Sequence, residues 1–110
     1  MGFAVAWIAL VIAGVLEVAW ASAMKLSDGF TRPWPAVITL IAMLGSVGLL
    51  AFAMRTIPLS TAYPIWTGIG AVGAFLIGVT ILGEQATAAR IMAATLIVAG
   101  LVMMKFSDSR

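Results

Sequence analysis

Long apolar runs, separated by short polar connectors, divide the chain into four segments of membrane-crossing length. A helix needs about 20 apolar residues to cross the hydrocarbon core of a bilayer. The pattern predicts helices over about 3–25, 35–54, 59–82 and 88–105, within a single domain spanning 1–110. Because no water satisfies loose backbone groups inside a bilayer, helices joined by short loops are the expected fold. We therefore predict an all-α membrane protein with four transmembrane helices.

The connectors carry the residues that typically end one helix and begin the next. The first, SDGFTRPWP, contains an Asp-Gly turn and two prolines, and the third, GEQAT, is a polar break. The second, RTIP, places Pro58 at a helix start, where its missing N–H costs little. The first apolar run has no basic region before it, is too long for a signal peptide and contains Glu17. We interpret it as a retained transmembrane helix.

Composition supports a membrane protein and excludes several kinds of site. The chain is 64% hydrophobic and 9% charged, with a mean hydropathy of +1.19, whereas soluble domains carry roughly 25% charged residues. It has no cysteine and no histidine, so disulfides, thiolate metal sites and the commonest metal ligand are absent. We expect no metal and no cofactor. A net charge of +2 without a basic tract indicates no nucleic-acid partner.

Lysine and arginine are evenly divided between the two ends of the predicted helices. The end where the first helix begins carries Arg55, Lys105 and Arg110. The opposite end carries Lys25, Arg32 and Arg90. Orientation in a membrane follows a bias in these charges, and here there is none. The balance arises either by chance in a chain with few charges or because copies insert both ways up.

Insertion in both orientations would allow a functional dimer. Four helices are too few to enclose a site and open it alternately to both sides of a membrane. Many secondary transporters use two inverted repeats for this purpose, with the site near the midplane. An antiparallel, dual-topology homodimer would supply the inverted repeat from two copies of the chain, and two-fold dimers are the commonest closed assembly.

Glu17 is an acidic residue inside the first apolar run, roughly two thirds of the way along the predicted helix. Charges inside membrane spans are costly and usually face a bundle interior or an aqueous cavity. Its helical neighbours one turn away are mostly small and include Gly14, and the large one is Trp20. One interpretation is a protonated side chain that hydrogen-bonds another helix. The favoured one is that Glu17 binds a cation, a proton, or both in competition.

The third segment carries an aromatic cluster in TAYPIWTGIGAVG. Tyr63, Trp66, Thr67 and Gly70 fall on one helical face. Aromatic rings beside a carboxylate suit an organic cation, although both rings could instead belong to an interfacial aromatic belt. Pro64 removes one backbone hydrogen bond near the start of this helix.

The stretch GIGAVG within the same segment matches a dinucleotide-binding fingerprint in its letters only. That motif requires a preceding strand and a helix that opens at the glycines, whereas these glycines lie inside an apolar span. Gly70, Ala74 and Gly78 instead form a stripe of small residues that lets two membrane helices approach closely. We predict that these three residues pack against another helix.

Polar residues are scarce in the second and fourth segments. Ser46, with Met43 on a neighbouring position of the helix face, is the deepest polar residue of the second. A membrane serine usually donates to the carbonyl four residues earlier, and the alternative is that Ser46 helps to position Glu17. The fourth segment looks like scaffold, with predicted dimer contacts at the following residues: Thr95, Ala99 and Gly100.

The whole chain resembles the small multidrug resistance transporters. The resemblance rests on four short helices with a single carboxylate in the first, on MKLSDGFTRPWP closing that helix, and on TAYPIWTGIGAVG opening the third. It implies an antiparallel dual-topology homodimer that exchanges protons for cations through Glu17. The stretch EVAWASAMK, with Trp20 one turn after the glutamate, is similar to the guanidinium exporters of that family.

The guanidinium subtype implies roles for the residues around the glutamate. The side chains of Trp20, Ser46 and Trp66 would hydrogen-bond the Glu17 carboxylate and orient it, and Tyr63 would line the site. Pro64 departs from the family pattern, which commonly has alanine between the tyrosine and the isoleucine.

The expected function is proton-coupled antiport that exports guanidinium and small substituted guanidinium ions across a bacterial-type inner membrane. Broader export of quaternary ammonium or other hydrophobic cations is one alternative. A non-transporting membrane subunit, or one that flips a lipid carrier, is another. An enzyme is not expected, because the membrane interior holds one acid and no nucleophile–base pair.

Overall fold

The structure, a computed structural model, describes residues 2–107, so Arg110 of the charge count lies outside the described residues. It contains four helices: α1 (Phe3–Leu26), α2 (Pro33–Ala53), α3 (Leu59–Thr80) and α4 (Ala88–Phe106). All four are long and apolar enough to cross a membrane. The prediction of an all-α membrane protein with four transmembrane helices is confirmed.

Two helix ends lie two residues from the bounds predicted from the sequence, and the others agree within one residue. Helix α2 already begins at Pro33, because proline fits the first turn of a helix, where the N–H that it lacks would have no partner within the helix. Helix α3 ends at Thr80. There the chain turns through Gly83 at a φ of 71°, and the amide of Glu84 donates back to the carbonyl of Gly78 at 2.8 Å.

The turn between α1 and α2 has left-handed backbone at three consecutive residues. Asp28, Gly29 and Phe30 adopt φ angles of 52°, 71° and 67°, which reverses the chain at the predicted Asp-Gly turn. Ser27 holds the turn together, because its buried hydroxyl donates to the carbonyl of Met24 at 2.7 Å and accepts from the amide of Phe30 at 3.0 Å.

Helix α1 lies between α2 and α3, whereas α4 packs mainly against α3. The core occupies the half of the molecule in which α1 begins. There, small and branched residues of the first three helices interlock, among them Ala6, Leu10, Ala13, Leu50 and Ile65. The small side chains of α1 allow the neighbouring helices to approach closely, as is typical of membrane helix packing. Glu17 therefore lies just beyond the core, toward the other end of α1.

Helix α4 is the least covered element of the described chain. None of its residues is buried, and Leu96, Met103 and Phe106 are largely exposed. The hydroxyl of Thr95 donates to the carbonyl four residues earlier in its own helix, at 2.9 Å. A side chain added at Gly100 would meet open space. The dimer contact predicted at Thr95, Ala99 and Gly100 stays a prediction, and that surface is open.

Candidate binding site

Helix α1 places the carboxylate of Glu17 against α3. The side chain is half-buried, and its Oε1 atom is buried without a hydrogen-bond partner among residues 2–107. A Cβ atom added at Gly70 would lie 2.6 Å from the Glu17 Cδ, so the glycine makes the space that the carboxylate occupies. Because a buried charge without a partner is costly, this arrangement favours binding of a cation or a proton.

Trp20 lies one turn after Glu17 on the same helix and is also half-buried. Its indole Nε1 is buried and has no acceptor among residues 2–107. A buried polar group without a partner costs free energy comparable to a lost hydrogen bond. One turn of α1 therefore carries both an unpaired acceptor and an unpaired donor, and a suitable ligand or a movement of these side chains could satisfy both.

Ser46 joins the first three helices beside this turn. Its hydroxyl donates to the carbonyl of Ala13 in α1 at 2.6 Å, and it accepts from the indole N–H of Trp66 in α3 at 2.9 Å. Both side chains are buried. Because the carbonyl of Ala13 lies four residues before Glu17, the bridge attaches α2 and α3 to the turn of α1 that presents the carboxylate.

This bridge differs from the intrahelical hydrogen bond that a membrane serine usually makes. The hydroxyl of Ser46 reaches another helix and does not donate to the carbonyl of Ala42 in its own helix. In the single chain the donors of Ser46, Trp66 and Trp20 do not pair with Glu17. The hydrogen bonds of the orienting shell predicted for Glu17 are therefore not formed in the single chain, and the role of these three residues stays a prediction.

The remaining predicted site residues differ in their exposure. The ring of Tyr63 lies 5.6 Å from that of Trp66 between centroids, at an interplanar angle of 46°, and Tyr63 is 51% exposed. Thr67 is exposed on α3, and Met43 is half-buried on α2. Tyr63 thus presents an exposed ring next to the buried indole of Trp66, and its part in lining the site stays a prediction.

The glycines of α1 and α3 show where the two helices touch. A Cβ atom added at Gly14 would lie 2.7 Å from Ile69 Cγ2, so the helices cross closely there. Gly70 faces the Glu17 carboxylate, and Gly78 faces the carboxylate of Glu84 in the following loop. The stripe of Gly70, Ala74 and Gly78 thus provides room for two acidic side chains, and its predicted contact with another helix stays a prediction.

One feature of the site has no signal in the residue types, and a second has only a weak one. The acceptor at Ala13 is a backbone carbonyl, which any residue would supply. The sequence predicts Gly70 as a packing residue, whereas in the structure it makes the space for Glu17. Its place on the same face as Tyr63 and Trp66 was the signal that could have shown its part in the site.

Four membrane-length helices, with a half-buried carboxylate inside the first of them, define a small multi-pass membrane protein. The family model described as Small Multidrug Resistance protein matches residues 5–97. The chain belongs to this family.

Relatives from several bacteria match almost the whole chain. A protein of Yersinia pseudotuberculosis named guanidinium exporter is 54% identical over 103 residues, which cover 94% of this chain and 99% of the relative. Proteins of the same name from Citrobacter freundii and Salmonella typhimurium are each 54% identical over 101 residues, covering 92% of this chain and 96% of the relative. These relatives are named as transporters.

Proposed function

We propose that this protein exports guanidinium and small substituted guanidinium ions in exchange for protons. The observation that carries the proposal is the buried, unpaired Oε1 of Glu17 next to the unpaired indole N–H of Trp20. The names of the relatives at 54% identity support the same substrate. No cofactor takes part in this mechanism, and its ligands are the organic cation and protons.

The chemistry of guanidinium fits a carboxylate in this setting. Guanidinium is planar and presents a fork of N–H donors that matches the two oxygens of a carboxylate. Hydrogen bonds to a charged group are shorter and stronger than neutral ones. The bound ion would supply the partner that Oε1 lacks, and Gly70 leaves the carboxylate free of a side chain on the facing helix.

Competition for one carboxylate would couple the two ions. An unpaired charge inside a membrane span is costly, so the Glu17 carboxylate would be neutralised by either a proton or a cation. When a proton binds, the cation is released, and when the cation binds, the proton is released. The exchange therefore needs no second titrating group inside the membrane, and the chain has no histidine to provide one.

A dimer would complete the proposed site. The exposed surface of α4 supports a helix partner, and the equal distribution of lysine and arginine supports insertion in both orientations. In an antiparallel homodimer two copies of Glu17 would face one chamber. The Trp20, Ser46 and Trp66 side chains of each copy would then orient its carboxylate.

Broader export of quaternary ammonium ions is the alternative, and the position of Tyr63 favours it. An exposed ring beside a buried indole attracts cations through its face without any hydrogen bond. Such ions lack N–H donors and could not satisfy the two oxygens of Glu17. They are therefore expected to bind more weakly than guanidinium.

Purified protein in liposomes with an internal pH-sensitive dye tests the substrate and the coupling together. An outward gradient of guanidinium or methylguanidinium should drive protons inward. Tetraethylammonium should move protons roughly 10–100-fold more slowly, because each lost hydrogen bond to a charged group costs about 1.5–3 kcal/mol. Equal rates with tetraethylammonium would support the broader exporter. Guanidinium flux without proton movement would contradict antiport.

The two indoles of the site provide a matched pair of variants. Trp66→Phe deletes the donor to Ser46, so it should lower the free energy of unfolding by about 1 kcal/mol. Trp20→Phe deletes a donor that has no partner in the folded chain, so stability should be unchanged. Because both indoles are proposed to orient Glu17, guanidinium affinity should fall in both variants, by roughly tenfold or more.

Thermal unfolding in detergent and calorimetric titration with guanidinium measure these two effects separately. Tetraethylammonium serves as the control ligand, because it needs the ring face and not the indole donor. If Trp20→Phe lowers stability and leaves guanidinium affinity intact, Trp20 contributes packing and does not orient Glu17.

A further inference from the structure

An apolar groove runs along the outside of the helices, away from Glu17. It lies between the first half of α1, α3 and the end of α4, and its volume is about 600 Å³. Its walls include Ile8 and Val11 of α1, Ile69 of α3 and Val102 of α4. Ile8 and Val102 are 60% and 50% exposed, so the groove is open along its side. We refer to it as the α1–α4 groove.

One end of the α1–α4 groove carries a positive charge. Lys105 in the last turn of α4 lines it, and the Nζ atom lies 4.4 Å from the centroid of the Trp7 ring. The aliphatic stem of a lysine can cover apolar surface while its ammonium group stays at a membrane interface. The ring contact holds the ammonium group over the groove at the end where α1 begins.

The same end contains a polar group with no partner. Trp7 is only 8% exposed, it lines the groove, and its indole Nε1 is buried without an acceptor among residues 2–107. Trp7 therefore contributes both the ring that holds Lys105 and an unused donor. A ligand group with strong acceptor oxygens at this end could take both donors if the indole turned toward it.

Within residues 2–107, the charged side chains at this end are basic. They belong to Arg55, between α2 and α3, and to Lys105. The acids Asp28 and Glu84 lie in the connectors at the opposite end, and Glu17 lies inside the helices. The charge at this end therefore complements an anion, whereas the groove below it complements hydrocarbon.

We propose that the α1–α4 groove binds an anionic phospholipid of the bilayer. One acyl chain lies between Ile8, Val11 and Val102, and the phosphate contacts the ammonium group of Lys105. The groove opens sideways on helices that cross a membrane, so the lipids of the bilayer can enter it. The site is separate from Glu17, and the proposal does not depend on which cation the protein transports.

Native mass spectrometry of the purified protein tests the site. Phosphatidylglycerol and phosphatidylcholine with identical chains are added in equal amounts, and the lipid that stays bound is counted. The native chain should retain phosphatidylglycerol over phosphatidylcholine. Lys105→Gln should reduce this preference about fivefold, the factor that one lysine near an anionic membrane contributes. Val11→Trp fills the groove and should reduce retention of both lipids.

Arg55→Gln is the matched control. Arg55 lies at the same end of the molecule, with its Cζ atom 6.0 Å from the centroid of the Phe52 ring. It does not line the groove. Its removal should leave the preference unchanged, and circular dichroism checks that each variant keeps its helices. An equal loss in Lys105→Gln and Arg55→Gln would show general surface attraction and overturn the proposal. The proposal would also be overturned if the Val11→Trp chain no longer formed dimers but still retained lipid. That result would mean that a second copy of the chain, and not a lipid, occupies the groove.

Discussion

A Glu17→Gln chain is expected to fold normally, to lose guanidinium binding and to move no protons in response to guanidinium. Glutamine keeps the shape of the side chain beside Gly70 and removes the charge. Removing one partner of a buried, hydrogen-bonded charge pair costs about 2–5 kcal/mol, which is roughly a 30-fold to several thousandfold loss of affinity. Folding should not suffer, because the buried oxygen has no hydrogen-bond partner to lose within residues 2–107.

The measurements are calorimetric titration with guanidinium, proton movement in liposomes and thermal unfolding. Asp28→Asn is the matched control, because it also replaces a carboxylate with an amide. Asp28 lies in the loop after α1 at a φ of 52°, a conformation that asparagine tolerates. This variant should bind and transport like the native chain. Proton-coupled export that persists in Glu17→Gln would contradict the transport role and would favour a Glu17 side chain that serves only in helix packing.

Biasing the chain to one orientation is expected to abolish transport. Leu59 and Ser60 are exposed at the start of α3, at the same end as Arg55. Replacing both with lysine adds two positive charges to one end, which should place that end in the cytoplasm in nearly all copies. An antiparallel dimer could then no longer form. Replacing both with glutamine is the control and should leave transport intact.

Two further measurements make this test decisive. A cysteine at Gln85, which is exposed in the connector before α4, would be the sole cysteine of the chain. It should react with a membrane-impermeant thiol reagent from both sides in the native background and from one side in the lysine variant. Ser27 is unsuitable for this purpose because it is fully buried.

Co-expression supplies the rescue. A second chain with lysines at Gln85 and Ala86 carries the opposite bias, so the two chains together should restore guanidinium export. Labelling of the native chain from one side only, or full transport by the lysine variant alone, would contradict dual topology.

The chemical identity of the site was predictable, whereas its hydrogen bonds were not. A carboxylate in an apolar run is expensive enough to indicate a function, and the nearby indoles and hydroxyl were evident as its companions. The pairing of Ser46 with Ala13 and Trp66 depends on how α1, α2 and α3 are rotated about their axes. Helices that are apolar all round carry little periodic signal for the buried face.

The sequence alone therefore determined the four helices, the membrane setting and the acidic centre at Glu17. These depend on local quantities, namely the length of each apolar run, the turn residues between runs and the cost of one charge within a run. The tertiary structure decided which atoms meet. It placed Glu17 in the space left by Gly70, bridged three helices through Ser46, and left α4 uncovered. Those contacts join residues far apart in the chain, and close packing selects them only when the helices are brought together.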